Sequence, residues 1–124
     1  RLTITVQSFG YARGLPRAAD LVFDVRFLRN PHYEDDLRPL TGRDKAVAEY
    51  VSQDPDFESI YQRIYDLISA LLPRYEKEGK SYLTIAIGCT GGRHRSVFTV
   101  EKLSSDLAGA GYRVNMLHRD TQFD

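Results

Sequence analysis

The sequence predicts an α/β fold: one domain spanning residues 1–124, with a small, mainly parallel sheet flanked by helices. A phosphate-binding strand-loop-helix is expected after the third strand. Three observations predict it. Leu2, Ile4 and Val6 alternate with Thr3, Thr5 and Gln7, the period of a strand with one buried face. Phe57, Ile60, Tyr61, Ile64, Ile68, Leu71, Leu72 and Tyr75 recur at helical spacing. The stretch "SYLTIAIG", residues 81–88, is a nearly continuous apolar strand of the kind buried on both faces of a parallel sheet, and it runs into a glycine-rich turn.

The elements follow in order. The first strand ends near Ser8, and Phe9 to Arg17, with two glycines and a proline, reads as a loop. "LVFDVRF", residues 21–27, is a second strand, interrupted on one face by Asp24 and Arg26. The irregular "LRNPHYEDDLRPLTG" is of a length that, inside a compact domain, usually carries function. Thr41, with Asp44 three residues on, resembles a capped start for a short helix carrying Ala46, Val47, Tyr50 and Val51. Asp54 and Pro55 read as N-cap and first residue of the long second helix. Pro73 is expected to end or kink that helix, with Gly79 at its exit. Val97, Val100, Leu103 and Leu107 mark a third helix closed by Gly109 and Gly111, and "YRVNMLH" supplies the last strand. Strand, loop, helix, strand is the rhythm of an α/β layer with right-handed crossovers.

Composition narrows the function classes. The 17 basic and 17 acidic side chains cancel, so no overall basic excess points to nucleic acid or membrane, and any basic site must be local. The single cysteine forms no internal disulfide and has no zinc-spaced partners, which suits a reducing compartment, with the cytoplasm as default, and predicts no metal and no cofactor. No run reaches the length of a membrane span, and no signal-peptide pattern opens the chain. The start on Arg1, directly before a strand, suggests an excised part of a larger protein.

The segment Cys89-Thr90-Gly91-Gly92-Arg93-His94-Arg95-Ser96 carries the chemistry. A glycine-rich turn between a buried strand and a helix presents free backbone N–H groups and the positive end of the helix dipole to an anion. Gly91 and Gly92 permit close approach, Thr90 and Ser96 offer hydroxyls, and Arg93, His94 and Arg95 add charge, so a phosphate-bearing ligand is the natural guest. A Walker A loop is excluded because, counting from Gly88, its second glycine would fall on Arg93. "GCTGGR" also lacks the spacing of the dinucleotide fingerprint. Cys89 and Arg95 followed by Ser96 do fit the C-x5-R signature of tyrosine phosphatases, in which Cys89 would be the nucleophile and Arg95 the clamp on the equatorial oxygens. Gly88 stands where that signature has histidine, and without tryptophan no Trp-Pro-Asp loop supplies a general acid. The plainer alternative for Cys89 is a buried, inert thiol at a strand end. Asp24 could equally cap a turn or pair with Arg26, and His32 could be a turn residue after Pro31.

Four ordered blocks, "SFGYARGLP", "FDVRFLRNPHY", "LRPLTGRDKAV" and "SYLTIAIGCTGGRHRSV", resemble the C-terminal domain of the RNase adapter protein RapZ (YvcJ) family over residues 8 to about 118. The resemblance implies a sensor for a phosphorylated amino sugar, glucosamine-6-phosphate in enterobacterial members. It also implies an N-terminal P-loop domain preceding this one, and small RNAs and an endoribonuclease as partners. The implied ligand-binding positions are Asp24, Asn30, His32, Cys89, Thr90, Gly91, Gly92, His94 and Arg95. Arg95, His94 and the loop amides would hold phosphate, while Asp24, Asn30 or His32 would bond sugar hydroxyl or ammonium groups. This chain holds no P-loop, so no nucleotide hydrolysis is expected of it. Enterobacterial members carry Lys and Arg clusters near the C-terminus, but here Arg113 and Arg119 are offset by Asp120 and Asp124. Counterion release would then contribute little, so the metabolite pocket leads over the RNA surface. A homo-oligomer is also compatible with the sequence.

Overall fold

The computed structural model describes residues 1–123. It contains four strands, β1 (Thr3–Gly10), β2 (Leu21–Asp24), β3 (Tyr82–Cys89) and β4 (Arg113–His118), with three helices, α1 (Lys45–Ser52), α2 (Phe57–Lys77) and α3 (Arg95–Gly109). Two short 3-10 turns, Tyr11–Arg13 and Pro31–Tyr33, follow the first two strands. The sheet order is β2-β3-β1-β4 and all three pairings are parallel. The two central strands, β3 and β1, therefore end side by side, and ligands of open parallel sheets bind beyond such ends.

The register explains the core. Ile4 and Val6 of β1 lie beside Leu83 and Ile85 of β3, and these side chains share one buried cluster with Val47 and Val51 of α1, Ile68 and Leu72 of α2, and Val100 and Leu103 of α3. On the opposite face Val22, Tyr82 and Leu117 are exposed, Tyr82 at 75%. The apolar run 81–88 was expected to be covered on both faces. Ala86 and Gly88 are indeed buried, Gly88 beneath the Phe9 and Tyr11 rings, while the helical residues of the core cluster pack with the Ile4 and Ile85 face.

Several boundaries differ from the sequence expectation. β2 stops at Asp24 rather than Phe27: the Val25 amide still donates to the Gly88 carbonyl (2.9 Å), and the chain then turns. β1 continues through Phe9 and Gly10, because both pair with β3. The first helix begins four residues after Thr41. Asp44 is its N-cap, and its carboxylate reaches back to the Thr41 amide (2.8 Å). Asp56, not Asp54, stands at the N-cap position of α2, without a capping bond from its side chain, while Asp54 accepts from the Asp56 and Arg29 amides (2.9 and 2.8 Å). Pro73 neither ends nor caps α2, which runs on to Lys77. Pro73 faces solvent, so water can satisfy the carbonyl one turn back that loses its N–H partner. α3 contains Gly109, and the positive φ that follows the helix falls on Gly111.

Candidate functional site

Two backbone loops cross at the carboxyl ends of β1 and β3. A Cβ on Gly10 would lie 2.4 Å from the Gly91 carbonyl carbon, and one on Gly92, whose φ is +77°, would lie 2.4 Å from the Gly10 nitrogen. Only glycine lets the chains pass this closely. The Ala12 amide then donates to the Thr90 carbonyl (3.1 Å) and fixes one loop on the other. Gly88 is equally constrained: its missing Cβ leaves the space taken by the Phe9 ring, 2.4 Å away. That packing accounts for the glycine in the place where the phosphatase signature has histidine.

The crossing floors a cavity of about 810 Å3, the size range of a small-molecule site. Of the residues singled out in the sequence, Asn30, His32, Cys89, Thr90, Gly91, His94 and Arg95 line it. Asp24 and Gly92 are not among its lining. The Asp24 carboxylate accepts from Arg26 Nη2 (2.7 Å), Nε (3.0 Å) and backbone N–H (2.9 Å). These bonds hold its pKa below the ordinary carboxylate value, with the Arg95 charge adding to the effect. Gly92 serves the turn. Ala12, Tyr33, Arg38 and Pro39 complete the lining and were missed, as was the position of Arg93 on its edge. For Tyr33, Arg38 and Pro39 the signal was only the unassigned length of the irregular segment, whereas Ala12 lay in the Phe9–Arg17 loop and Arg93 in the charged loop itself.

Arg95, 5% exposed, donates through Nη1 to the carbonyls of Arg26 (2.6 Å) and Leu28 (3.2 Å), and Nη2 lies 3.5 Å from Thr90 Oγ1. Among the described residues no carboxylate forms an ion pair with Arg93 or Arg95. A buried guanidinium bonded to neutral acceptors stays charged, with the nearby Asp24 carboxylate offsetting part of its field, and it sits where α3 begins, with the helix dipole adding to it. His94 is buried, and its Nε2 bonds the Arg38 carbonyl (3.1 Å), so the proton of the neutral ring resides on Nε2. Burial pushes the His94 pKa down, and the neighbouring Arg93 charge pushes it the same way against its backbone bonds. The imidazole is thus neutral near pH 7.

Cys89 is buried at the end of β3. Its thiol donates to Ser96 Oγ (3.1 Å), and its sulfur accepts the Ser96 N–H (3.3 Å). Across the cavity, Asn30 Oδ1 accepts the His32 N–H (3.1 Å) and caps the Pro31–Tyr33 turn. Arg38 Nε donates to the His32 carbonyl (2.7 Å) while the Arg38 carbonyl receives His94, so one residue joins the two walls. Among the described residues no group of three His, Cys, Asp or Glu side chains is placed to hold a metal ion. Among the described residues no helix is long and apolar enough to cross a membrane.

Comparison with known proteins places this arrangement in a family. A sequence model described as the RapZ C-terminal domain matches residues 2–122. The chain is 60% identical over 118 residues to a nucleotide-binding protein of Novosphingobium aromaticivorans, covering 95% of this chain and 39% of the relative. It is 63% identical over 119 residues to one of Rhodospirillum rubrum (96% and 37%), and 60% identical over 119 residues to one of Rhodospirillum centenum (96% and 36%). The chain therefore spans less than two fifths of the length of these relatives.

Proposed function

The chain belongs to the RapZ C-terminal domain family, and from that premise we propose that its cavity binds a phosphorylated amino sugar of the glucosamine-6-phosphate class. Family membership supports a regulatory or adapter role for the domain. The observation that carries the ligand reading is Arg95, a buried cation with no carboxylate partner among the described residues, on the wall of a cavity at the start of a helix. Such a site favours a phosphate dianion, which would receive charge-assisted bonds from Arg95 and from loop amides left free. The opposite wall, with Asn30, His32 and Tyr33, offers the polar and aromatic groups suited to a sugar ring. In the full-length relatives the domain would act beside a nucleotide-binding part, presenting its ligand state to small RNA and an endoribonuclease, in the cytoplasm.

Thermal denaturation tests the reading. Glucosamine-6-phosphate is expected to raise the Tm, since a ligand at 100 times its Kd stabilises by about 2.7 kcal/mol. Arg95→Ala should remove the shift. Absence of any shift with glucosamine-6-phosphate, glucose-6-phosphate and inorganic phosphate alike overturns it.

A second reading rests on one specific observation: Cys89 and Arg95 line the same cavity, the pair that the C-x5-R signature brings together. Cys89 would then attack phosphorus while the ester oxygen leaves with the proton that the thiol gives up, and water would release phosphate from the cysteinyl intermediate and restore the thiol. Against it, the cavity lining holds no Asp or Glu among the described residues to protonate the leaving oxygen. Release of phosphate from p-nitrophenyl phosphate, lost in Cys89→Ser, would promote this reading, and no release between pH 5 and 8 would retire it.

A further inference from the structure

The C-terminal segment after β4 is no part of the cavity lining, yet it is bonded to both loops that are. The Thr121 carbonyl accepts Arg93 Nη1 (2.7 Å), and the Asp120 carboxylate accepts the Gly10 N–H (2.8 Å). Arg119 donates to the Gly14 carbonyl (2.7 Å), and the Arg13 guanidinium lies 3.6 Å from the centre of the Phe123 ring. Because the Ala12 amide is itself bonded to Thr90, loop, loop and tail form a closed circuit along one edge of the cavity.

Arg93 stands at the junction of that circuit. Besides Thr121, it donates to the carbonyls of Leu40 (3.1 Å) and Pro39, and its own carbonyl accepts the Gly42 N–H (3.0 Å). The planar fork is filled by three neutral acceptors from two other segments, so it works as a strut, with its charge turned toward backbone. Two residues on, Arg95 holds the turn after β2. The two arginines therefore tie the same loop to different neighbours.

We infer that residues 119–123 are the element through which the occupied or empty state of the cavity is read, with Arg93 as the positioning residue that couples them. The inference rests on the sugar-phosphate reading. A phosphate held by the Thr90–Arg95 loop restrains that loop, the Arg93 fork moves less, and Thr121 with its neighbours is held longer. By linkage, anything that draws the tail away weakens the ligand by the same factor.

Amide hydrogen exchange at Gly10, Arg119 and Phe123, with and without saturating glucosamine-6-phosphate, tests it. Each of these amides is bonded within the circuit or to β1. The ligand is expected to slow their exchange several-fold in the wild type. In Arg93→Met it should still protect the loop but leave the tail unchanged. Equal tail protection in Arg93→Met, or bound ligand with a silent wild-type tail, overturns the coupling alone; no binding at all overturns the sugar-phosphate reading together with it. Should Arg93→Met fail to fold, Phe123→Ala keeps Arg93 and removes only the stacking on Arg13. Its affinity for glucosamine-6-phosphate should fall by up to about fivefold, the worth of an exposed cation–π contact, and an unchanged affinity overturns the proposal.

Discussion

Along the wall from Cys89 to Arg95, the thiol, His94 and Arg95 are all buried, and the thiol, His94 Nε2 and Arg95 Nη1 are held by Ser96 and by backbone carbonyls. Across the cavity, His32, Tyr33 and Arg38 are exposed, Tyr33 at 78%, on a segment whose only regular structure is a single 3-10 turn. One wall is organised before any ligand arrives, by burial and by loops that cross at glycine. The other is organised by local bonds among its own residues, such as Asn30 to the His32 amide and Arg38 to the His32 carbonyl. The contrast assigns different tasks. A pre-formed wall suits an invariant group such as phosphate, because fixed dipoles then cost little reorganisation, whereas an exposed wall can adapt to the variable part of a ligand.

The largest expected effect tests the first half of that contrast. Gly10→Ala places a methyl 2.4 Å from the Gly91 carbonyl carbon, and both partners are backbone, so nothing flexible can yield. The substitution should cost about 3 kcal/mol of stability, the upper range for overpacking. It should also abolish the shift in Tm with glucosamine-6-phosphate. Urea denaturation of Gly10→Ala measures the first. A loss below about 1 kcal/mol would mean the loops can separate, and the buried wall would not be rigid.

The sheet and its helices were legible in the sequence because periodicity is a local signal. Ile4 and Val6 in β1, and Ile64, Ile68 and Leu72 in α2, read directly as buried faces, and the loop after Cys89 was singled out from its composition. What was not legible depends on contacts distant along the chain. Asp24 and Arg26 sat in a pattern that continued to Phe27, but the pairing partner, β3, ends its register with β2 at Gly88. Pro73 is expected to end or kink α2, yet the helix runs on to Lys77, with solvent on that side hydrating the carbonyl that loses its N–H partner. Arg93 and Arg95 look alike in the sequence. Only the positions of Thr121, Pro39, Arg26 and Leu28 separate the two. Tyr33 and Arg38 belonged to a segment without period, whose length alone pointed to function.

A smaller effect comes from protonation of the buried wall. In the unfolded chain His94 takes up its proton near the ordinary value of about 6.5. In the folded protein burial lowers that value, so between the two the unfolded state binds more protons and stability rises with pH. As pH falls through about 6.5 the contribution of neutral His94 begins to be lost, and the loss grows until the lowered folded pKa is reached. Denaturation midpoints between pH 7.5 and 5.5 should fall more steeply for the wild type than for His94→Gln, whose amide can still donate to the Arg38 carbonyl. Parallel pH profiles would show that the imidazole is not held neutral by its surroundings.

The smallest effect on stability, and the sharpest on the comparison, is expected at Tyr33. Its ring meets His32 edge-on at 5.8 Å and is otherwise open to solvent, so Tyr33→Ala should change unfolding free energy by less than about 0.5 kcal/mol. If the exposed wall recognises the sugar, the same variant should lose affinity for glucosamine-6-phosphate while keeping whatever affinity the protein has for inorganic phosphate. Isothermal titration with both ligands separates the two contributions. Equal losses would place Tyr33 in the phosphate end, and no loss with either would remove the exposed wall from recognition. In that case both ends of the ligand would have to be held by the buried wall, and the difference between the walls would concern folding alone.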